Sequence, residues 1–401
     1  MAKRKIQKPT RFERMYKVWD YLRKNTDRRH PTSIAKMRKD ENINAYIGDK
    51  ETINRLLKDM ANIMNLEDGG SDYKPEAEWR LYFDDFKKFY GDKERYERDD
   101  SDEDDSYIAN VMRIKNLYYN RTFSEKEVDS IIEGIMATRT LDSKSAQELV
   151  RKVEDNMTTA FYKRTPRHIC KVQEPELADR ELLKDNLAII QKAIDDNVRI
   201  QFRFNGYSYE KKLEPVRAEM DELSPYYIVA SGGKYYLLAA KEYEGYKPNM
   251  SIWRIDLMTD IEIPGRNDRL HIKGIPRIPK KNVSNLPEKW SEDFQLKHLN
   301  MSFDKPVPVT LRIKSEKCED NPKKRVRPGY TFLHDWFGDS FTYIRTETNP
   351  PYDDIVRVEC SPYGMAHWAL QYSELVEVLE PESLREDIKS KIKALNEKYS
   401  L

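Results

Sequence analysis

The pair Gly232-Gly233, set between two runs rich in tyrosine and aliphatic residues, constrains this chain more than any other feature. Adjacent glycines tolerate the positive φ angles of a two-residue turn, so Tyr226 to Ser231 and Lys234 to Lys241 are predicted to form a tight β-hairpin. Further strand-forming runs follow at Ser251 to Asp256 and from Met258. Upstream, Ile200, Phe202 and Phe204 alternate with Gln201, Arg203 and Asn205, after which Gly206-Tyr207 turns the chain back along Tyr209 to Pro215. A helix is predicted over Leu177 to Asn197, with Leu182, Leu183, Leu187, Ile190 and Ile194 on one stripe. About five strands behind such a helix are enough for a small barrel. Eleven aromatics lie from Phe202 to Trp253. Aromatics on strands stack on nucleobases, but they also favour strands for packing alone, and packing is the general expectation for any single tyrosine.

The segment Ser224-Pro225, Tyr235-Tyr236-Leu237 and Arg254-Ile255-Asp256-Leu257 resembles the WYL domain. The usual pattern of that family is Ser-Pro and a strand, Trp-Tyr-Leu after a turn, and a strand ending Arg-x-Asp-Arg. Tyr235 stands in the place of the Trp, and Leu257 in the place of the second Arg, which removes a charge. The resemblance implies an Sm-like barrel that senses a ligand, nucleic acid or a nucleotide, in a bacterial regulator. The candidate ligand-binding residues are Ser224, Tyr226, Tyr235, Tyr236, Lys241 and Arg254, with Lys212 and Lys234 as further cations. Arg254 leads, because a guanidinium stacks on a base or grips a phosphate bidentately. Residues 198–263 hold nine bases and ten acids, so an anion site there is a local cluster.

The net charge of +1 conceals an asymmetry: residues 1–58 carry 17 Lys or Arg against 7 Asp or Glu, whereas residues 59–110 carry 7 against 17. A basic end fits a polyanion, since Lys and Arg gain affinity by releasing counterions from phosphates. From Phe12 to Asn25 apolar residues recur at helical spacing, Thr32 or Ser33 caps a second helix over Ile34 to Arg38, and Asp49 caps a third that buries Ile53, Leu56, Leu57 and Met60. These three helices form a helix-turn-helix, and Leu66 to Phe83, with Gly69-Gly70 and Trp79 to Phe83, is predicted to form its wing hairpin. Thr52, Asn54 and Arg55 near the start of the third helix are the candidate base readers, while Lys36, Arg38, Lys50 and Lys58 are placed on the DNA-facing surface.

The acidic run 97–105, with seven acids and one base, is expected to be a solvated insertion. Ser124 to Glu127 forms a capping box before Val128, and a second helix is predicted over Ser143 to Tyr162. The pair resembles the connector between the DNA-binding and WYL parts of the family. After a basic, Pro-rich linker, the C-terminal part reads strand, helix, strand, strand, helix, strand, the order of a ferredoxin-like unit. It resembles the C-terminal extension of WYL regulators, a module associated with dimerisation or with closing over the ligand site.

The expected architecture is therefore multidomain α+β. It comprises a winged helix-turn-helix at 1–83, an acidic insertion with helical connector at 84–175, a WYL domain at 176–265, a linker at 266–305 and a ferredoxin-like extension at 306–401. Cys170, Cys318 and Cys360 are too few and scattered for a disulfide framework or zinc site. The six histidines lack metal-ligand spacing, and no phosphate-cradling loop, nucleophile elbow or HExxH is present, so no catalysis and no cofactor are expected. No run approaches a membrane helix, and the basic N-terminus lacks the apolar core of a secretory signal, so a cytoplasmic protein is expected. The leading expectation is a homodimeric, ligand-responsive transcriptional regulator of double-stranded DNA, with a single-stranded nucleic acid or nucleotide as effector. Its rivals are a single-stranded RNA- or DNA-binding accessory protein of a CRISPR-type phage-defence system, and a protein-interaction scaffold.

Overall fold

Thr10 and Glu13 bond each other's backbone in a capping box and start α1 (Arg11–Asn25), whose Val18 and Leu22 are fully buried. The computed structural model describes residues 9–67, 72–88, 112–138, 141–162, 180–314, 317–318, 321–325 and 329–399. They fall into two units, 1–176 and 177–401. The acidic run 97–105, the turn glycines Gly69 and Gly70, and Cys170 lie outside the described residues.

In the first unit Ser33 caps α2 (Ile34–Met37), a single turn α3 (Asn44–Ile47) follows, and Asp49 caps α4 (Lys50–Asn65) by accepting from Thr52 N at 2.7 Å. The one-turn α3 has no side-chain cap and is too short to leave a periodic signal. The strand partner differs from the wing expected within 66–83. Leu66 does bridge Tyr73 antiparallel, but β1 (Leu81–Tyr82) pairs with β2 (Tyr118–Tyr119), which follows the acidic run in sequence. Leu117, next to β2, also bridges Thr32. Three short extended segments thus lie side by side on a core of Leu22, Ile53, Leu57, Phe83 and Leu117. Ser124 and Glu127 close the capping box of α5 (Glu125–Ala137), which packs on α6 (Ser143–Met157) through Val128, Ile132, Val150 and Val153. Arg121 ties this hairpin to α1, donating to Thr26 O at 3.2 Å and Thr158 O at 3.0 Å.

The second unit starts with α7 (Arg180–Asp196) and two curled antiparallel sheets. The first contains β3 (Ile200–Tyr207), β4 (Leu213–Pro215), β5 (Asp221–Ser231), β6 (Lys234–Ala240), β7 (Met250–Arg254) and β8 (Met258–Glu262), in the order β4-β3-β5-β6-β7. Gly232 and Gly233 turn β5 into β6 at φ +54° and +72°, the two left-handed positions that a type I′ turn requires. A three-residue turn, Ile255–Leu257, bends the chain from β7 into β8, which pairs back on β3. The sheet thereby curls round Phe202, Leu237, Ala239 and Ile255, with α7 inserting Leu183 and Ile190.

The second sheet has the order β12-β13-β9-β14, all antiparallel. It is built from β9 (Val307–Ile313), β12 (Thr342–Thr346), β13 (Asp354–Cys360) and β14 (Val376–Glu380); the two short strands β10 (Lys317–Cys318) and β11 (Asn321–Arg325) pair with each other. With α8 (Thr331–Phe337) and α9 (Pro362–Gln371), the four strands of this sheet follow the order strand, helix, strand, strand, helix, strand, before the final α10 (Glu382–Tyr399). Trp368 is the largest fully buried side chain, among Phe332, Phe337 and Tyr372. Cys360 is free and buried, and burial pushes its thiol up to about 12, so it stays protonated.

Residues 266–305, expected as a linker, are packed. Ile278, Val283, Phe294, Leu299 and Met301 are buried, and Phe294 and Met301 cover Val229, Leu238 and Met250 on the outer face of the hairpin. Among the described residues no helix is long and apolar enough to cross a membrane.

Candidate nucleic-acid interface

The Asp49 cap fixes which side chains the start of α4 presents. Lys50, Thr52 and Arg55 are exposed, as are Lys36 and Arg38 on and after α2. Arg38 Nη2 donates to Gly48 O at 3.1 Å, which holds it beside the N-terminal end of α4. Arg55 pairs with Glu51 at 2.8 Å across one turn, and Arg11 pairs with Asp59. Exposed pairs of this kind contribute only about 0–1 kcal/mol, so a phosphate or base edge competes readily for either arginine. Arg11, Arg14, Glu51, Thr52, Arg55 and Asp59 share an open cleft of about 400 Å³.

Two of the expected DNA contacts are corrected. Asn54 is fully buried and donates through Nδ2 to Met112 O at 3.0 Å, and Lys58 is 6% exposed. Their helix flank is polar in sequence, yet residues 112–117 return across the unit and bury Met112, Ile114 and Leu117 in the same core. The candidate readers are thus Thr52 and Arg55, with Arg11 and Arg14 added from α1. The capping box at Thr10 was the sequence signal that α1 begins with these two arginines.

In the second unit the expected ligand residues separate into different environments. Tyr236 on β6 and Arg254 on β7 are direct cross-strand partners. Arg254 is gripped by the buried Asp256, with Nε to Oδ1 at 3.1 Å and Nη2 to Oδ2 at 2.5 Å. Burial alone lowers an arginine pKa, but this carboxylate raises that of Arg254 above its usual value. The pairing occupies the Nε–Nη2 edge of the fork, with Nη1 outside it.

Ser224 and Tyr226 bond to the covering backbone: Ser224 Oγ accepts from Ile278 N at 3.0 Å, and Tyr226 OH donates to Ile278 O at 2.7 Å. Both are buried beneath the packed 276–283 segment, which a Pro-rich, basic sequence does not advertise as a cover. Tyr235 packs on the inner core of the curled sheet. Lys241 Nζ lies 2.7 Å from the fully buried Asp221, so its charge balances a buried carboxylate. Trp253 likewise faces inward, edge-on to Phe202 and Phe204 at 5.7 and 5.0 Å. The exposed aromatics are at strand ends and loops: Tyr207, Tyr209, Tyr243 and Tyr246.

A family model for the WCX domain matches residues 305–395, from just before β9 into α10. That match bears out the resemblance to WYL-domain regulators at its C-terminal module. Several solved structures are similar to the chain, two of them as follows. One is the proteasome accessory factor B/C (PafBC) of Arthrobacter aurescens, 15% identical, with a TM-score of 0.23, covering 87% of this chain. The chain spans 55% of the length of that PafBC chain. The other is a CRISPR Cas-related protein, 13% identical, with a TM-score of 0.29 and 77% of each chain covered. No curated protein matches the chain.

Proposed function

We propose that this chain, which carries the WCX module of the WYL-domain regulators, is a ligand-responsive, DNA-binding transcriptional regulator that acts as a homodimer. The observation that carries the reading is the exposed start of α4, where Lys50, Thr52 and Arg55 follow a capped N-terminus within a strongly basic stretch of chain. In this reading the first unit is a winged helix-turn-helix. α4 enters the major groove by its N-terminal half, Thr52 and Arg55 meet base edges, and Lys36, Arg38 and Lys50 meet phosphates. The Thr32–Leu117 and β1–β2 pairings supply the small sheet of a winged helix in this reading.

The curled sheet of the second unit is the Sm-like barrel of this reading, and a nucleotide or short single-stranded nucleic acid is its effector, held at Tyr236 and Arg254. Effector binding shifts the dimer between arrangements only by its differential affinity for them. Arg254→Ala should weaken binding of a short single-stranded oligonucleotide by tenfold or more, because a charge-assisted hydrogen bond contributes about 1.5–3 kcal/mol. Fluorescence anisotropy measures this, with circular dichroism as the control for folding. Arg254→Lys keeps a cation beside Asp256 but removes the fork, and it should also lose affinity. Unchanged binding in both variants refutes the effector site.

The exposed Tyr207, Tyr209, Tyr243 and Tyr246 favour a second reading, a single-stranded RNA- or DNA-binding accessory protein of a CRISPR-type phage-defence system. Genome-wide crosslinking separates the two. Discrete duplex sites are expected for the regulator, whereas recovery of transcripts or single strands alone identifies the accessory protein.

A further inference from the structure

The bulge between Pro225 and Tyr227 in β5 turns two consecutive tyrosines toward the covering segment 276–290. A cation stands over each ring: Arg277 at 5.0 Å from the Tyr226 centroid and Lys280 at 4.1 Å from that of Tyr227. Lys280 Nζ also donates to Tyr227 OH at 2.8 Å. Beside them Trp290, 45% exposed, packs 5.8 Å from Tyr227 and is backed by Phe294 at 5.5 Å.

The cations here differ from their neighbours in charge balance. Arg199, Arg203, Arg217, Arg254 and Arg266 each face a carboxylate. Among the described residues neither Arg277 nor Lys280 has one within ion-pair distance. Arg277 is half-buried, and burial lowers its pKa. It donates to Pro225 O at 2.7 Å and Asn197 Oδ1 at 2.6 Å, two neutral acceptors that orient the guanidinium without neutralising it. Holding a desolvated, oriented cation without a counter-charge costs stability unless an anion joins it. An anion recruited here would supply the missing counter-charge, and a flat ring attached to it would find an exposed aromatic in Trp290, which adjoins Tyr227, the ring that Lys280 stands over.

We infer that Arg277, Lys280 and Trp290 form a nucleotide-binding subsite for single-stranded nucleic acid, in which the two cations hold a backbone phosphate and Trp290 stacks on the adjoining base. The inference rests on the nucleic-acid reading of the second unit for the identity of its ligand, but it uses none of the residues at Tyr236 and Arg254.

The test titrates the full chain into fluorescein-labelled dT10. Trp290→Ala should weaken binding between about fivefold and 100-fold, the loss of one stacked base. Lys280→Gln should weaken it at low salt and reduce the slope of log affinity against log salt by about 0.7, the loss of one phosphate contact. Arg277→Gln also removes a brace between Pro225 and Asn197, so Lys280→Gln and Trp290→Ala, both at partly exposed positions, carry the test. Wild-type affinity in Trp290→Ala, or an unchanged salt slope in Lys280→Gln, overturns the subsite. Inorganic polyphosphate competing as well as dT10 at equal phosphate concentration overturns it too, because the base then contributes nothing. If Arg254→Ala binds like wild type while these two variants do not, the barrel site fails and this one stands.

Discussion

Gly364→Ala should destabilise the second unit by about 3 kcal/mol, although glycine to alanine within an exposed helix ordinarily stabilises by about 0.5–1 kcal/mol. The sign reverses because α9 presses its first turn on the 299–302 turn. An added Cβ at residue 364 would lie 2.6 Å from Leu299 O, 2.7 Å from Ser302 Oγ and 2.8 Å from Ser361 Oγ. Leu299 O is backbone and cannot step aside cheaply. Ser302 Oγ is held by its bond to Leu299 O at 2.7 Å and by its contact with Ser361 Oγ, which itself caps α9 by accepting from Gly364 N at 3.2 Å. The methyl group must therefore displace the helix or break this cluster, at about 1 kcal/mol or more for each buried bond lost. For a unit of this size the loss corresponds to a melting-temperature fall of roughly 6–12 °C. Differential scanning fluorimetry measures it, and an unchanged or raised melting temperature refutes the close approach.

Asn65→Ala should cost the first unit a similar amount, about 3 kcal/mol, by a different mechanism. Asn65 is the last residue of α4 and fully buried. Its Nδ2 donates to Leu81 O at 2.7 Å, and its Oδ1 accepts from Arg80 N at 2.8 Å and Leu81 N at 3.1 Å. One side chain thus satisfies three backbone groups, two of Leu81 in β1 and one of Arg80 just before it, and alanine leaves them without a partner at about 1–3 kcal/mol for each buried group. Asn65→Asp keeps the acceptor but loses the donor and buries a charge, so it should not rescue. Urea unfolding followed by fluorescence reports the change, since Trp79 is 3% exposed in the adjoining core. A shift below 1 kcal/mol would contradict this role for Asn65.

The parts of the fold legible in the sequence are those governed by neighbours along the chain. Ser33, Asp49 and Ser124 mark helix starts because a cap and its backbone donor lie within three residues. Gly232-Gly233 marks the hairpin because only two residues turn it. The strand alternation of β9 and β13 likewise announced the C-terminal sheet.

Long-range packing was not legible. β1 finds its partner at β2 rather than within 66–83, and the return of residues 112–117 buries Asn54 and Lys58 on a flank whose polar sequence indicates solvent. Ser224 and Tyr226 carry the polar groups of a binding site, but the covering segment uses them as braces. The same cover carries Arg277, Lys280 and Trp290, whose grouping depends on a bulge and a crossing segment that no local pattern records.

Whether the start of α4 reads duplex DNA is decided by selecting bound sequences from a random duplex library with the full chain and with Arg55→Ala. The wild-type chain should enrich one discrete motif, and Arg55→Ala should lose about 1–3 kcal/mol of discrimination at a defined position of it, the contribution of one base contact. A library that remains random after selection, or an Arg55→Ala variant that recovers the same motif with the same affinity, would show that the start of α4 does not read duplex DNA.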